Sequence, residues 1–332
     1  MRLRIPLSAA RAAALAAVVA RVFLGLSLQA PDAHNGAWLA ALVGGLLALP
    51  LVNLMELMRG RSRPMLCAVL LLSTAADAAG VLSDTVRSAG YLALNRVAGP
   101  WLLLPVCAAV LWSIAKNGDS VGYAAMAFAR LFPLLLMPVA LLQLPHYRPA
   151  WLLPLLGDGW RGILEDGVRV AGWIASACAV LMVSGDDDGT KKPRRTPSAM
   201  LAAGIAVAAL LIVLRLMMTP TQLQRDGWSN RLDALLTNGR APLYLQLPMI
   251  ALWYAGMLHL LACEGFACAA LLQGLFPRLG GMACAVVAVA AVALLSGAGA
   301  QDFFAPWRYL VLAMIAAVAA LLPDRRKGGA TS

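Results

Sequence analysis

Charge is scarce in this chain, and so is every pattern that marks a soluble enzyme. Only 13% of its 332 residues are charged and 61% are hydrophobic, against roughly a quarter charged and half apolar in a soluble domain. So few charges cannot clothe a water-exposed globular surface. There are only three histidines, and the six cysteines (Cys67, Cys107, Cys178, Cys263, Cys268 and Cys284) all lie in apolar runs with no CxxC or Cys/His cluster. That spacing supports neither a disulfide framework nor a zinc site, and the thiols read as small packing groups. No phosphate-binding loop, nucleophile elbow or Ser/His/Asp spacing is present, so no catalytic residue, metal or cofactor is assigned and an enzyme is not expected. No small-residue cleavage site precedes the first apolar run, which is therefore expected to be retained.

What is present is a series of apolar runs near the ~20 residues that cross a bilayer, with a mean hydropathy of +0.77. Ten spans are expected, at about 9–29, 36–57, 65–93, 99–115, 121–143, 161–184, 198–218, 243–275, 280–297 and 305–322. The net charge of +11 sits in the loops between them and so does not point to nucleic acid. One set of loops, with Arg2, Arg59, Lys116, Lys191, Arg278 and Arg325 among its residues, carries fifteen basic residues; the opposite set carries seven. The richer set is expected on the cytoplasmic side, which puts both termini inside and requires an even number of spans. The chain thus reads as one integral, all-α membrane domain followed by a basic tail over 323–332. In the longest outer loop, the WSNRLDALL segment over 228–236 has the pattern of a short amphipathic surface helix.

The residues Leu144, Pro145, Leu152, Leu153, Pro154, Leu155, Leu156, Gly159 and Trp160 form an "LP…LLPLL..GW" pattern between spans five and six. With Gly36-Ala37-Trp38 before span two, Ala129-Arg130 in span five and Leu322-Pro323 after span ten, this resembles the spore germinant receptor B-subunit family. That family is a branch of the amino acid–polyamine–organocation transporter superfamily. The resemblance implies a LeuT-like, amino acid permease fold of two inverted five-helix repeats, here about 8–143 and 161–322, joined by an outer connection over 144–160. It also implies an amino acid or similar nutrient as ligand, partner receptor subunits (a large membrane subunit and a lipoprotein) and the inner spore membrane as location. In such folds the first helix of each repeat is broken around the midplane site. For those breaks the sequence offers Gly25 in span one and Gly172 in span six.

Ionisable residues inside spans are costly unless paired, so each is a functional candidate. Arg21 in span one is placed to clamp a ligand carboxylate through its planar fork, or to fill the site by pairing with Asp77, Asp166 or Glu264. Asp77, Asp84 and Arg87 share a face of span three, which in the superfamily borders the substrate cavity. Arg21, Gly25, Asp77, Gly172, Trp173 and Glu264 are therefore the candidate ligand-binding residues, and Asp77, Asp84, Arg130 and Glu264 the candidates for ion or proton coupling. Arg169, a few residues into span six, reads as an interfacial anchor. His259 lies five residues before Glu264, on another helical face, so the two are not expected to act as a dyad.

Three functions remain open at this level: a sensing subunit of a germinant receptor, a proton-coupled amino acid transporter, and a non-transporting structural subunit whose cavity is closed by Arg21. The loop charges make a direct prediction. In intact cells an impermeant thiol reagent is expected to label Asn238→Cys, while Thr190→Cys reacts only after the membrane is opened; the reverse pattern would overturn the orientation.

Overall fold

A computed structural model of the chain describes residues 3, 5–28, 33–59, 64–92, 99–116, 120–128, 147–157, 159–185, 197–218, 243–297, 311 and 314–315. In a bilayer an unpaired peptide group is so costly that a spanning chain coils into helices, and these residues are mostly helical. The helices are α1 (Leu7–Leu28), α2 (Ala37–Leu57), α3 (Pro64–Leu92), α4 (Gly99–Ala115) and α5 (Ser120–Phe128). They are followed by α6 (Trp160–Ala177), α7 (Pro197–Met218), α8 (Leu243–Leu275) and α9 (Gly281–Gly297). Spans one to four and seven to nine fall within two residues of the expected limits. Five helices are long and apolar enough to cross a membrane by themselves among the described residues. Arg130, most of span five beyond Phe128, the 228–236 segment and most of span ten lie outside the described residues.

Packing follows an approximate two-fold relation between the halves. The helices α1, α2, α3 and α4 touch α6, α7, α8 and α9 respectively, each its counterpart in the other repeat. The cross-pairs are mirrored as well: α2 with α6 and α1 with α7, then α3 with α9 and α4 with α8. Such reciprocal contacts are what an inverted repeat generates.

Small residues allow the closest of these approaches, since lipid-embedded helices associate through tight van der Waals packing. The face of α2 that carries Ala37, Ala40, Ala41, Gly44, Gly45 and Ala48 is buried. A Cβ on Gly44 would lie 2.6 Å from Val170 and 2.7 Å from the Gly167 carbonyl oxygen of α6, while one on Gly45 would meet the Ile205 side chain of α7.

Both expected breaks need correction. Gly25 does not interrupt span one, because α1 is one continuous helix from Leu7 to Leu28. Gly172 does not interrupt span six either, because α6 runs through it to Ala177. Helix six gives way later than expected. After Cys178 the chain tightens into a 3-10 turn over Ala179–Leu181 and then extends over Ser184–Gly185. The freed backbone finds partners there: Ser184–Gly185 pairs in parallel with Ile5–Pro6, just before α1. The Ser184 hydroxyl also donates to the Leu181 carbonyl oxygen at 2.7 Å.

The segment before α6 is tied to the α1–α2 turn. Asn35 Nδ2 donates to the Leu153 carbonyl oxygen at 2.8 Å, and Asp166 accepts the Ala33 N–H at 2.8 Å. Gly157 has a φ of +55° and lies against the Ala33 carbonyl oxygen, so only glycine fits that crossing.

Gly44→Ala is expected to lower stability by about 1–3 kcal/mol, the usual cost of overpacking, because the Gly167 backbone cannot yield. Gly45→Ala should also destabilise, since the Ile205 Cδ1, Cγ1 and Cγ2 all crowd the added methyl. Thermal unfolding in detergent checks both, and an unchanged melt for either would refute this account of the α2 face.

Candidate functional site

Arg21 projects from the middle of α1 into a junction with α3 and α6. It is 3% exposed, and a bare guanidinium there would be strongly destabilising. Asp77 of α3 meets it edge-on: Nη2 donates to Oδ1 at 2.8 Å and Nε donates to Oδ2 at 3.1 Å. This two-point fork is the strong geometry for an arginine and a carboxylate. The Trp173 ring of α6 covers the guanidinium face, with the Arg21 Cζ 4.3 Å from a ring centroid. A cation over an indole ring in a desolvated place adds about 2 kcal/mol. Burial opposes the charge on Arg21, and the two-point contact with Asp77 offsets it.

Gly25 lies one turn after Arg21 on α1 and has a steric role. A Cβ there would sit 2.7 Å from the Trp173 ring and 2.9 Å from the Arg21 Nη1. The glycine thus makes room for the ring and the guanidinium without opening the helix. Gly172 is buried on α6 beside Trp173, within unbroken helix.

Hydroxyl groups fill out the junction. Ser73 of α3 and Ser176 of α6 face each other at 3.3 Å. Thr74, three residues before Asp77, is fully buried. These three were not singled out from the sequence, although their one-turn spacings from Asp77 and Trp173 place them on the same helical faces.

The remaining candidates lie around this cluster. Glu264 of α8 is 1% exposed. Asp84 is half-buried further along α3, and Arg87 is exposed. Asp166 does not pair with Arg21. It accepts a 2.8 Å hydrogen bond from Arg169 Nη1, one turn away, as well as the Ala33 N–H. Arg169 is therefore an ion-pair partner of Asp166. His259 of α8 stacks on Phe128 of α5, with centroids 5.8 Å apart, and its Nε2 lies 3.5 Å from the Ala13 carbonyl oxygen of α1. Among the described residues no three His, Cys, Asp or Glu side chains are grouped to hold a metal ion.

The arrangement has relatives among solved structures. Mhp1, a nucleobase-cation-symport-1 family transporter in a closed conformation with bromovinylhydantoin bound, superimposes with a TM-score of 0.63 at 10% identity over 95% of this chain and 75% of that one. A manganese transporter from Eremococcus coleocola gives 0.53 at 15% identity, over 94% of this chain and 76% of that one. The fold is that of the LeuT-like membrane transporters. At these identities the likeness concerns architecture alone; together with the apolar helices long enough to cross a membrane it supports a multi-pass membrane protein, and these structural neighbours are transporters. No family model matches the sequence, and no curated protein matches it.

The ion pair carries a prediction. Asp77→Asn leaves the Arg21 charge buried without its main counterion and should cost roughly 3–5 kcal/mol. The double variant Arg21→Ala with Asp77→Asn is expected to lose much less than the two single losses combined. Simple additivity in detergent melts would show that the two residues do not act as a unit.

Proposed function

We propose that this chain is a transporter-fold sensing protein, in which a small nutrient is recognised at the α1–α3–α6 junction and the response passes to partner subunits. The observation behind this reading is the Arg21–Asp77 fork under Trp173. In folds with broken helices, unwound peptide groups hold the substrate. Here α1 is intact, and the side chains of Arg21, Asp77 and Trp173 meet where α1, α3 and α6 come together. A ligand therefore has to exchange partners with an ion pair that ties α1 to α3.

The energetics suit a switch. Turning a site from 99% closed to 99% open takes about 5.5 kcal/mol of differential binding. Two charge-assisted hydrogen bonds supply roughly 3–6 kcal/mol at about 1.5–3 kcal/mol each. A ligand that satisfies both Arg21 and Asp77 would thus release α1 from α3 with little left to drive further steps. The effect would be a shift in helix populations. The sequence resemblance supplies the rest of the proposal: an amino acid-like nutrient with its carboxylate on Arg21, a germinant receptor in the inner spore membrane, cytoplasmic termini, and a large membrane subunit and lipoprotein as partners.

Transport is a second reading, favoured by one observation. The unwinding of α6 after Ala177 lies in buried surroundings, with Ala177 to Leu181 almost inaccessible to solvent. In that case Asp77 or Glu264 would carry the coupling proton.

Proteoliposomes separate the two. The sensing reading expects amino acids to raise the unfolding temperature without accumulating inside vesicles, and germination to fail in a deletion strain. Saturable uptake driven by a proton gradient and lost in Glu264→Gln would replace it with transport.

A further inference from the structure

We propose that the seam between α3, α4 and α9 is a lipid site, which takes one acyl chain of an anionic phospholipid and holds its phosphate on Arg87. The site shares no residue with the α1–α3–α6 junction. The C-terminal part of α3, the first turns of α4 and the last turn of α9 leave a groove of about 620 Å³ between them. That lies within the roughly 300–1,000 Å³ of pockets that hold small ligands.

The seam changes from polar to apolar along its length, as a lipid does. Arg87 of α3, Trp101 of α4 and Ser296 of α9 line the groove, and each lies within two turns of its helix end. Arg87 and Trp101 are both exposed there. An indole and a long cationic side chain are the groups that settle where hydrocarbon meets water. Deeper along the same three helices the walls carry no charge. Ala78 and Leu82 of α3, Val110 of α4 and Val289 of α9 border a further void of about 20 Å³, with α8 as its remaining wall. From Arg87 back to Ala78, or from Trp101 to Val110, is nine residues, roughly 14 Å of helix at 1.5 Å each. The hydrocarbon core of a bilayer is ~30 Å thick, so the seam runs the depth of about one leaflet.

Charge selects the headgroup. Among the described residues the groove is lined by one cation and by no carboxylate. Asp84 lies one turn before Arg87 on α3 but does not line the groove. Basic pockets between spanning helices hold anionic lipid headgroups, and a guanidinium meets a phosphate at two points. The hydroxyls of Ser83 and Ser296, also in the lining, add donors for phosphate or ester oxygens. A zwitterionic lipid would bring its own ammonium group up to Arg87, whereas an anionic one would not.

The test counts the lipid that stays bound. Full-length protein in detergent is offered equal amounts of phosphatidylglycerol and phosphatidylcholine, and retained lipid is read by native mass spectrometry. The expected result is one phosphatidylglycerol per chain, kept in preference to phosphatidylcholine, with a saturable rise in unfolding temperature. Arg87→Gln should reduce that preference about tenfold, the worth of one charge-assisted hydrogen bond. Ser296→Trp fills the groove and should abolish retention of either lipid. Arg148→Gln removes an exposed cation outside the groove and should behave as the native chain does. Equal retention of the two lipids by the native chain overturns the inference, and that comparison needs no folded variant. An unchanged preference in Arg87→Gln, or unchanged retention in Ser296→Trp, overturns it as well. Absence of retained lipid, or a dimer that forms without one, overturns it in favour of a protein segment as the occupant.

Discussion

One buried ion pair organises the centre of this protein. A guanidinium taken out of water in the middle of α1 is tolerated only because Asp77 meets it at two points and Trp173 covers its face. That constraint reaches several helices. It sets the spacing between α1 and α3, requires a glycine at position 25 to admit the ring, and holds α6 against α1 through Trp173. A charge pair of this kind does little for stability relative to well-packed apolar side chains. What it provides is a specific two-point contact between α1 and α3.

The same pair explains how a transporter-like architecture manages with a continuous first helix. In an intact helix every internal peptide group is satisfied, so none is offered to a substrate. Polar side chains are buried around the pair instead: Arg21, Asp77, Ser73, Thr74 and Ser176, with Glu264 buried on α8. The loosened backbone occurs instead at the end of α6, after Cys178, where the Ser184–Gly185 strand pairs with Ile5–Pro6. At the other end, Asp166 closes the turn between α1 and α2 by accepting from Ala33 and Arg169. The two ends of α6 are thereby fastened to opposite ends of α1.

Much of the architecture was legible in the sequence. Hydrophobic length locates helices well because a bilayer imposes a single requirement, a run of apolar residues that hydrogen-bonds within itself. That is why α1 to α4 and α7 to α9 fall within two residues of their expected limits. Helix interruptions were less legible, since glycine serves two purposes. At positions 25 and 44 it permits close approach, with Trp173 and Val170 respectively, and leaves the helix whole. Where α6 does end, at Ser176-Ala177-Cys178, no proline or glycine marks the place.

Composition and apolar spacing by themselves determined a polytopic helical membrane protein, and they named Arg21 and Asp77 as residues in need of an explanation. The choice among Asp77, Asp166 and Glu264 as the partner of Arg21 was decided only by tertiary packing. Helical periodicity says which face of its own helix a side chain occupies, but not which face of another helix it meets. Distance and desolvation, both set by how α1, α3 and α6 come together, made Asp77 the fork and sent Asp166 to Ala33 and Arg169.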